Sequence, residues 1–582
     1  PCNPAIGGPA KSTLVREIDA LGGVMGEAAD ATYIQMKMLN SSKGPAVRAL
    51  RAQSDKKEYT HYMRNIIESN ENIYLRQACI TDLIVNNGKI AGAIDEFGIE
   101  YSARAVILTT GTSLNGRIFV GLKSYSAGRL GEKAAYGLSE SLVKYGINIK
   151  KLKTGTPPRV DKRTIDYSKM DIQNGDELNH FYSFKPNRPI RPQYPCYLTR
   201  TNEKTHEIIR ANLDKSPMFQ GLIQGVGPRY CPSIEDKFLR FPDHITHPIV
   251  FEPVSLNTNE VYVQNFSTSL PYDVQVEMVH SLPGCENAKI IKPGYGIEYV
   301  YLLPDQLKDN LENKNISGFF CAGQVNGTSG YEEAGAQGLM AGINAAMYVK
   351  GKEPLILGRD EGYLGVLIDD LTTKSTDEPY RMLTGRCEHR LLLRWDNADR
   401  RLSQYGRNAG LIDDSKWAFI EKKFDNENNE ISRLKSTKIS PSKEIEDLCN
   451  EYEAEILTET MTLAEFLRHR GVKYELIEKI SPSEISLTRD EISYIETELR
   501  YTGYLEREAR VAERMKNLDN AKIPDDFDYD SVKGLRGECL QKLKHFKPDS
   551  LGHALRISGV TPVDVQLISV ILARNERSKN VK

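Results

Sequence analysis

Long apolar runs are missing from this sequence. No stretch approaches the roughly 18 consecutive apolar residues that would cross a membrane, and no signal peptide is visible. None of the nine cysteines lies in a CxxC, and no Cys/His cluster has metal-ligand spacing. A zinc site and a dithiol redox motif are therefore excluded, and free thiols in a reducing cytoplasm are the expected state. Excess positive charge is missing too. The net charge is −2, which rules out a uniformly basic coat for nucleic acid but not a local basic face. No internal repeat is present. The chain opens at Pro1 rather than Met, inside what reads as a functional loop. It is expected to be a fragment or processed form, from which a targeting segment or first strand is missing.

What is present is an ordinary globular composition over 582 residues, too long for one core; about two to four domains are expected. Leu14, Val15, Ile18 and Leu21 make one apolar stripe, predicting a helix over 10–22 that stops at Gly22-Gly23. A second helix, rich in Arg and Lys, is predicted over 43–69. Asn87-Gly88 is a strong hairpin signal between two β-rich runs. Ala105 to Leu108 reads as a buried strand running into Gly111, the pattern of an α/β nucleotide-binding sheet. Residues 150–310 are rich in Pro, Tyr and short strand-like runs. A strand, a Gly-rich loop and an Ala/Gly helix follow over 318–349. Helical periodicity dominates from 351, with 421–447 a solvated helical or linker face.

Four segments could carry chemistry. The first is the loop Gly323 to Gly330, between a short apolar strand and a helix. Its glycines allow close backbone approach, and a helix start attracts negative charge such as that of a reduced flavin, by about 0.3–2 kcal/mol. The same glycines would serve a tight helix–strand crossing, and the local pattern leaves both open. The second is Cys2, near the start of the first helix, where a thiol becomes more acidic; a lone cysteine is more often structural. The third is the segment Gly227 to Lys237 around Cys231, with Arg229, Glu235, Asp236 and Lys237 as charged neighbours. The fourth is Arg381 to Arg407, where Arg386, Arg390 and Arg394 recur every four residues, the outline of a phosphate-binding helix face. Arg–Asp pairing on a solvated face is the commoner fate of such runs. Arg48, Arg51, Lys56 and Lys57 could extend that face, and Lys150, Lys151, Lys153 and Arg159 form a further basic cluster.

Taken in order, these segments resemble the MnmG family, also called GidA. The matching stretches are Cys2 to Gly8, Met38 to Arg48, Leu152 to Arg159, the Cys231 loop, Cys321 to Gly327 with Gly330 to Glu333, Asp396 to Asp399, and Ile557 to Pro562. The resemblance spans essentially the whole chain. It implies an α/β fold: a glutathione-reductase-like, Rossmann-type FAD-binding domain in two parts (1–145 and 311–350). An inserted mixed α/β domain (146–310) serves NADH and substrate, and an all-α C-terminal domain (351–582) serves tRNA and partner. It implies a tRNA-modifying enzyme that acts with the GTPase MnmE as a cytoplasmic homodimer. With FAD, NADH and methylene-tetrahydrofolate it adds an aminomethyl or carboxymethylaminomethyl group to carbon 5 of the wobble uridine. Cys2 and Cys231 are the expected catalytic thiols. Expected cofactor contacts are Asn3, Gly7, Gly8, Ile80, Gly111, Ala135, Gly323, Gln324, Asn326, Gly327, Gly330, Tyr331 and Glu332. For nicotinamide they are Gly227, Pro228, Arg229, Tyr230, Pro232, Ser233, Ile234, Glu235, Asp236 and Lys237, with a second glycine-rich loop at Ser126 to Glu132. Arg386, Arg390, Arg394, Arg400 and Arg401 are the expected RNA contacts, and no metal is expected.

The resemblance places the family's opening strand and GxGxxG before Pro1, so both are absent here and an open apolar seam is expected; the chain also departs at Gly385, Cys387, His389 and Trp395, where the family usually has Ser, Ala, Tyr and His, changes that touch the expected RNA face. Competing readings are a folate- and FAD-dependent tRNA uracil-5-methyltransferase, which is shorter and lacks a long helical C-terminal module, and a non-catalytic RNA-binding protein on a flavin fold. An ordinary pyridine-nucleotide oxidoreductase would show a redox cysteine pair, and none is present.

Overall fold

The computed structural model describes residues 3–177, 180–185, 190–229, 232–374 and 376–580, with backbone only over 575–580. The first helix is Lys11–Ala20, and every residue after Lys11 is buried, not one stripe alone. It runs through the centre of the largest core, between the helices Tyr331–Val349 and Ala398–Ala409. Its charged residues are therefore satisfied internally. Arg16 donates to the Phe181, Tyr182 and Trp395 carbonyls and to Asp490, and its guanidinium stacks 3.9 Å above the Phe184 ring. Glu17 accepts from the Tyr363 and Leu364 amides at 3.0 and 2.9 Å. It thereby caps the helix Tyr363–Lys374 from another part of the chain.

The second helix differs from its predicted span. Only Lys56–Glu68 is α-helical, with Asp55 as N-cap, and Pro45–Val47 makes a single 3₁₀ turn. Ala49–Ser54 is instead the middle strand of an antiparallel sheet, between Ala5–Gly7 and Tyr33–Leu39. Asp55 sets the break, because its carboxylate accepts from the Lys57 and Glu58 amides and can start a helix only after itself. The hairpin at Asn87-Gly88 is as read: both residues have positive φ, and Ile80–Asn86 pairs with Lys89–Asp95. Val106–Leu108 pairs in parallel with Phe319–Cys321. Phe319 and Phe320 are fully buried, worth about 1.5–3 kcal/mol each. Val106–Leu108 has no second strand partner among the described residues, and Ile107 is 37% exposed.

Residues 149–302, with the hairpin Arg117–Val120 and Lys123–Ser126, form two antiparallel sheets. A four-stranded sheet contains Ile149–Thr156 and Tyr295–Leu302, and joins the insertion to the first core. A six-stranded sheet spans 159–292 and packs on the helices Glu203–Ala211 and Tyr272–His280 around its own core. The first core extends through Leu357, Leu371 and Met382 to Leu402, so the expected boundary at 350 does not coincide with its edge. Two helical cores follow, over 434–499 and 523–568. The stretch 421–447 is largely helical with a solvated face, as one of the two expected alternatives had it, but Lys423, Glu427, Glu430 and Leu434 of the helix Asp414–Ser436 turn inward and are buried. A chain of charges ties the last core to the first. Arg556 meets Asp369 at 2.8 Å, Arg359 bridges Asp369 and Asp370, and the Tyr380 hydroxyl donates to Asp370 at 2.8 Å. No described helix is long and apolar enough to cross a membrane.

Candidate functional site

The loops that leave the parallel strand pair lie side by side, since the Ala322 amide donates to the Leu108 carbonyl at 3.0 Å. Ligands of α/β sheets bind beyond such carboxyl ends. One loop carries Thr110 and Gly111, the other Gly323 to Gly330. Each holds a buried polar atom with no hydrogen-bond partner among the described residues, Thr110 Oγ1 and Asn326 Oδ1. Gly111 has φ +58°, and a side chain there would meet nothing within 4 Å; the same is true of Gly8, at φ +100°. Open glycine backbone beside unsatisfied polar atoms is what a bound planar cofactor such as a flavin would require. Ala135 joins this rim, its amide donating to the Ser113 carbonyl and its carbonyl accepting from Asn115. Ile80 opens its strand, half-buried. Gln324 lies beside the Tyr299 hydroxyl.

The remaining glycines of the loop have other causes. Gly327 is left-handed at φ +81°, and a Cβ there would sit 2.8 Å from Thr376 Oγ1 and 3.2 Å from the Tyr301 ring. Its smallness serves the turn and the packing, not a ligand. At Gly330 a Cβ would strike the Glu333 carboxylate. Gln337, which sequence reasoning missed, organises the loop: it accepts from the Gly323 amide and Asn326 Nδ2, and donates to Thr328 Oγ1 and the Glu333 carbonyl. Lys11 was missed as well. Its ammonium binds Glu332 at 2.6 Å, and the other Glu332 oxygen accepts from the Gly7 amide at 2.7 Å. Burial opposes the Lys11 charge, but Glu332 and Glu333 outweigh it and hold the ammonium above its usual range. Tyr331 is half-exposed and meets Tyr59 hydroxyl to hydroxyl at 3.3 Å.

A cavity of about 330 Å³ is lined by Lys153, Gly227, Arg229, Pro232, Asp236 and Glu378, among others. Ser233 caps the short helix Ile234–Arg240, whose Ile234, Glu235 and Asp236 are buried. Lys153 stands 4.0 Å from Asp236. Glu235 accepts from the Thr268 hydroxyl and the Ser269 amide; burial pushes its carboxyl up. Lys237 donates to the Asn265 carbonyl. Cys2, Tyr230 and Cys231 lie outside the described residues, while Arg229 and Pro232 on either side of the latter two line the cavity. The strand-like segment after Glu378 joins the two sites: the Tyr380 amide donates to the Gly327 carbonyl at 2.7 Å, and Ser329 donates to Tyr380. Met382 then donates to Glu333. The seven described cysteines are all free, and burial pushes Cys196, Cys285 and Cys387 up to about 12 and Cys539 to about 11. Thiols so placed are structural. No group of His, Cys, Asp and Glu among the described residues could hold a metal ion.

Residues 1–353 match the family profile described as glucose inhibited division protein A. Residues 414–509 match that of the tRNA modifying enzyme MnmG/GidA C-terminal helical domain, and 511–582 that of its C-terminal helical bundle. The chain belongs to the MnmG/GidA family. It is 50% identical over 578 residues to the tRNA uridine 5-carboxymethylaminomethyl modification enzyme MnmG of Thermodesulfovibrio yellowstonii, covering 99% of this chain and 92% of that one. It is also 50% identical over 581 residues to the protein of the same name from Streptococcus pneumoniae, covering 99% and 91%. Among solved structures it resembles Aquifex aeolicus GidA in two crystal forms, each with TM-score 0.89, at 43% and 44% identity over 98% of this chain and 92% and 93% of that one. The mixed α/β part with two C-terminal helical domains is thus a MnmG/GidA architecture.

In this member of the MnmG/GidA family the expected arginine stripe does not form. Thr384–Arg386 and Trp395–Asn397 are single 3₁₀ turns, the chain between them is irregular, and the helix begins only at Ala398. Arg386 lies over the Tyr380 ring. Arg394 is fully buried between Asp396 and Glu498, at 2.9 and 2.8 Å. Arg400 binds Glu427 and packs between Phe424 and Tyr494; Arg401 binds Glu17. Only Arg390, of these five, is exposed. Of the departures, Cys387, His389 and Trp395 are buried as well, whereas Gly385 is exposed.

Proposed function

We propose that this chain, like the relatives named as tRNA uridine 5-carboxymethylaminomethyl modification enzymes, modifies a tRNA uridine at carbon 5, and that it does so at the wobble position with FAD. Asn3, Gly7, Gly8, Gly111, Ala135, Gly323, Gln324 and Asn326 would hold the flavin in a glutathione-reductase-like arrangement, and Gly227 to Lys237 would hold NADH. FAD, when bound, supplies hydride-transfer chemistry fed by NADH. Uracil carbon 5 becomes nucleophilic once a thiolate adds to carbon 6. Cys231 is assigned that addition and Cys2 a proton-transfer role. Lys153 beside Asp236 gives the cavity a cation near the thiol's loop, which favours thiolate. Methylene-tetrahydrofolate would supply the carbon. MnmE and a second copy of the chain would be partners, in the cytoplasm.

The observation that carries this reading is the stitching of the Arg229–Pro232 cavity to the glycine loop through Glu378 and Tyr380. The decisive test is adduct formation with tRNA carrying 5-fluorouracil at the wobble position. Wild-type protein is expected to form a covalent complex that Cys231→Ser cannot form; an undiminished adduct in the variant removes Cys231 from the role. The two matched C-terminal helical segments disfavour the shorter methyltransferase reading.

A further inference from the structure

Two basic runs that are separate in the sequence meet at one place. Arg159 and Lys292 are cross-strand partners on the six-stranded sheet. The neighbouring strand contributes Glu260, 2.7 Å from Lys292 and 3.8 Å from Arg159. Val254, whose amide donates to the Glu260 carbonyl, accepts the Lys56 amide at 2.9 Å. That places the start of the helix Lys56–Glu68 at the same corner. On the opposite side Tyr295 pairs with Thr156, and its hydroxyl accepts from the Leu130 amide at 3.3 Å, which brings in Arg129.

Four cations therefore face one another. Arg159 is the floor, its side chain 6% exposed, while Arg129 and Lys292 are half-exposed rims. Among the described residues two carboxylates answer them: Glu132 is spent on Arg129 and Glu260 on Lys292 and Arg159, whose guanidinium also donates to Thr156 Oγ1 and the Pro157 carbonyl and lies over the Tyr262 ring. Lys56 has no ion-pair partner among the described residues, and Asp55 next to it is committed to the Lys57, Glu58 and Leu256 amides and the Ser255 hydroxyl. Lys56 is exposed, yet partial desolvation by the surrounding chain, then repulsion from Arg159 and Arg129, lowers its pKa. The corner thus carries uncompensated positive charge that an anion would relieve. Beside it Gly131, at φ +85°, leaves open backbone with nothing within 4 Å of a Cβ position, and Tyr125 presents a ring that is 47% exposed. Exposed aromatic surface next to convergent cations suits a nucleotide.

We propose that Lys56, Arg129, Arg159 and Lys292 form a phosphate-binding notch that takes a nucleotide phosphate beside the tRNA-modifying site, an inference resting on the function proposed above for its choice of ligands. Both a phosphodiester of bound RNA and the pyrophosphate of NADH carry this chemistry, and the test separates them. Wild-type protein is labelled with limiting acetic anhydride at pH 8, and modification of the Lys56 amine is read by mass spectrometry. This is done alone and with inorganic pyrophosphate, an anticodon stem-loop RNA or NADH. The expected result is that pyrophosphate and one of the two nucleotide ligands slow Lys56 labelling at least fivefold, with Lys57 labelled as before. In parallel, K56Q is expected to bind that same ligand roughly tenfold more weakly; if it is the RNA, the slope of log affinity against log salt falls by about 1. Protection by RNA alone assigns the notch to the polynucleotide, by NADH alone to the dinucleotide. Labelling that neither nucleotide ligand slows, or K56Q affinities equal to wild type for both, overturns the notch. Because labelling needs neither flavin nor turnover, an inactive protein that shows protection keeps the notch and loses the proposed activity, and the converse result separates them equally.

Discussion

At the scale of single residues, glycine and charge do different work from what their spacing suggests. Gly327 reads as a ligand-approach glycine, yet its neighbours are Thr376 and Tyr301. Gly327→Ala is expected to destabilise the fold by about 2 kcal/mol or more, from left-handed strain and overpacking together. Urea denaturation that matches wild type would return the position to the cofactor. Glu427 shows the same gap for charge. Burial pushes its carboxyl up from 4.5 to about 7, with Asp399 reinforcing and Lys423 and Arg400 opposing. A carboxyl raised on folding stabilises the native state in its protonated form. That contribution is full below pH 4.5 and disappears as pH rises through 7. Glu427→Gln is therefore expected to lose less melting temperature between pH 5 and pH 8 than wild type; parallel pH profiles would contradict this. No sequence pattern announces Glu427, because its environment comes from the Ala398–Ala409 helix as much as from its own.

At the scale of elements, what is local in the chain was legible and what is long-range was not. The helix Lys11–Ala20, the Asn87-Gly88 hairpin and the strand–loop–helix around Gly323 follow from periodicity and turn chemistry. The strand Ala49–Ser54 was hidden inside a basic run because its pairing partners, Ala5–Gly7 and Tyr33–Leu39, had to be known first. The fourfold spacing of Arg386, Arg390 and Arg394 fits a helix equally well on paper. Trp395 and Arg394 instead commit the segment to the buried Arg16 and Glu498, contacts no local window contains. Arg16 is the sharpest case: fully buried, it joins the first helix to Asp490 at the start of Arg489–Arg500. Arg16→Ala takes one cation from Asp490, which keeps His180 at 3.3 Å, and removes the Arg16 donor from the Trp395 and Tyr182 carbonyls. A loss of about 3–5 kcal/mol is expected, read as a fall in the denaturant midpoint. A change under about 1 kcal/mol would show that the surrounding elements hold without it.

At the scale of the whole molecule, the four larger hydrophobic cores among the described residues, each separate from the others, argue against one cooperative unit. The terminal core of residues 523–568 is held to the rest through Arg556 and Asp369 at 2.8 Å, with Lys516 and His545 reaching Asp360 and Asp305 at the margin. Arg556→Gln is expected to let this bundle exchange its amide hydrogens severalfold faster than the first core, at unchanged protection of the helix Lys11–Ala20. Uniform acceleration across the chain would instead mark Arg556 as part of a single folding unit.

The Asp370 carboxylate gives that junction a reach beyond its own interface. One of its oxygens is held by Arg359, which also grips the Asp369 that Arg556 binds; the other is held by Tyr380, whose backbone is sewn to Gly327. Leverage on the far end of the chain is geared, through one aromatic ring, to the turn on which a cofactor would rest.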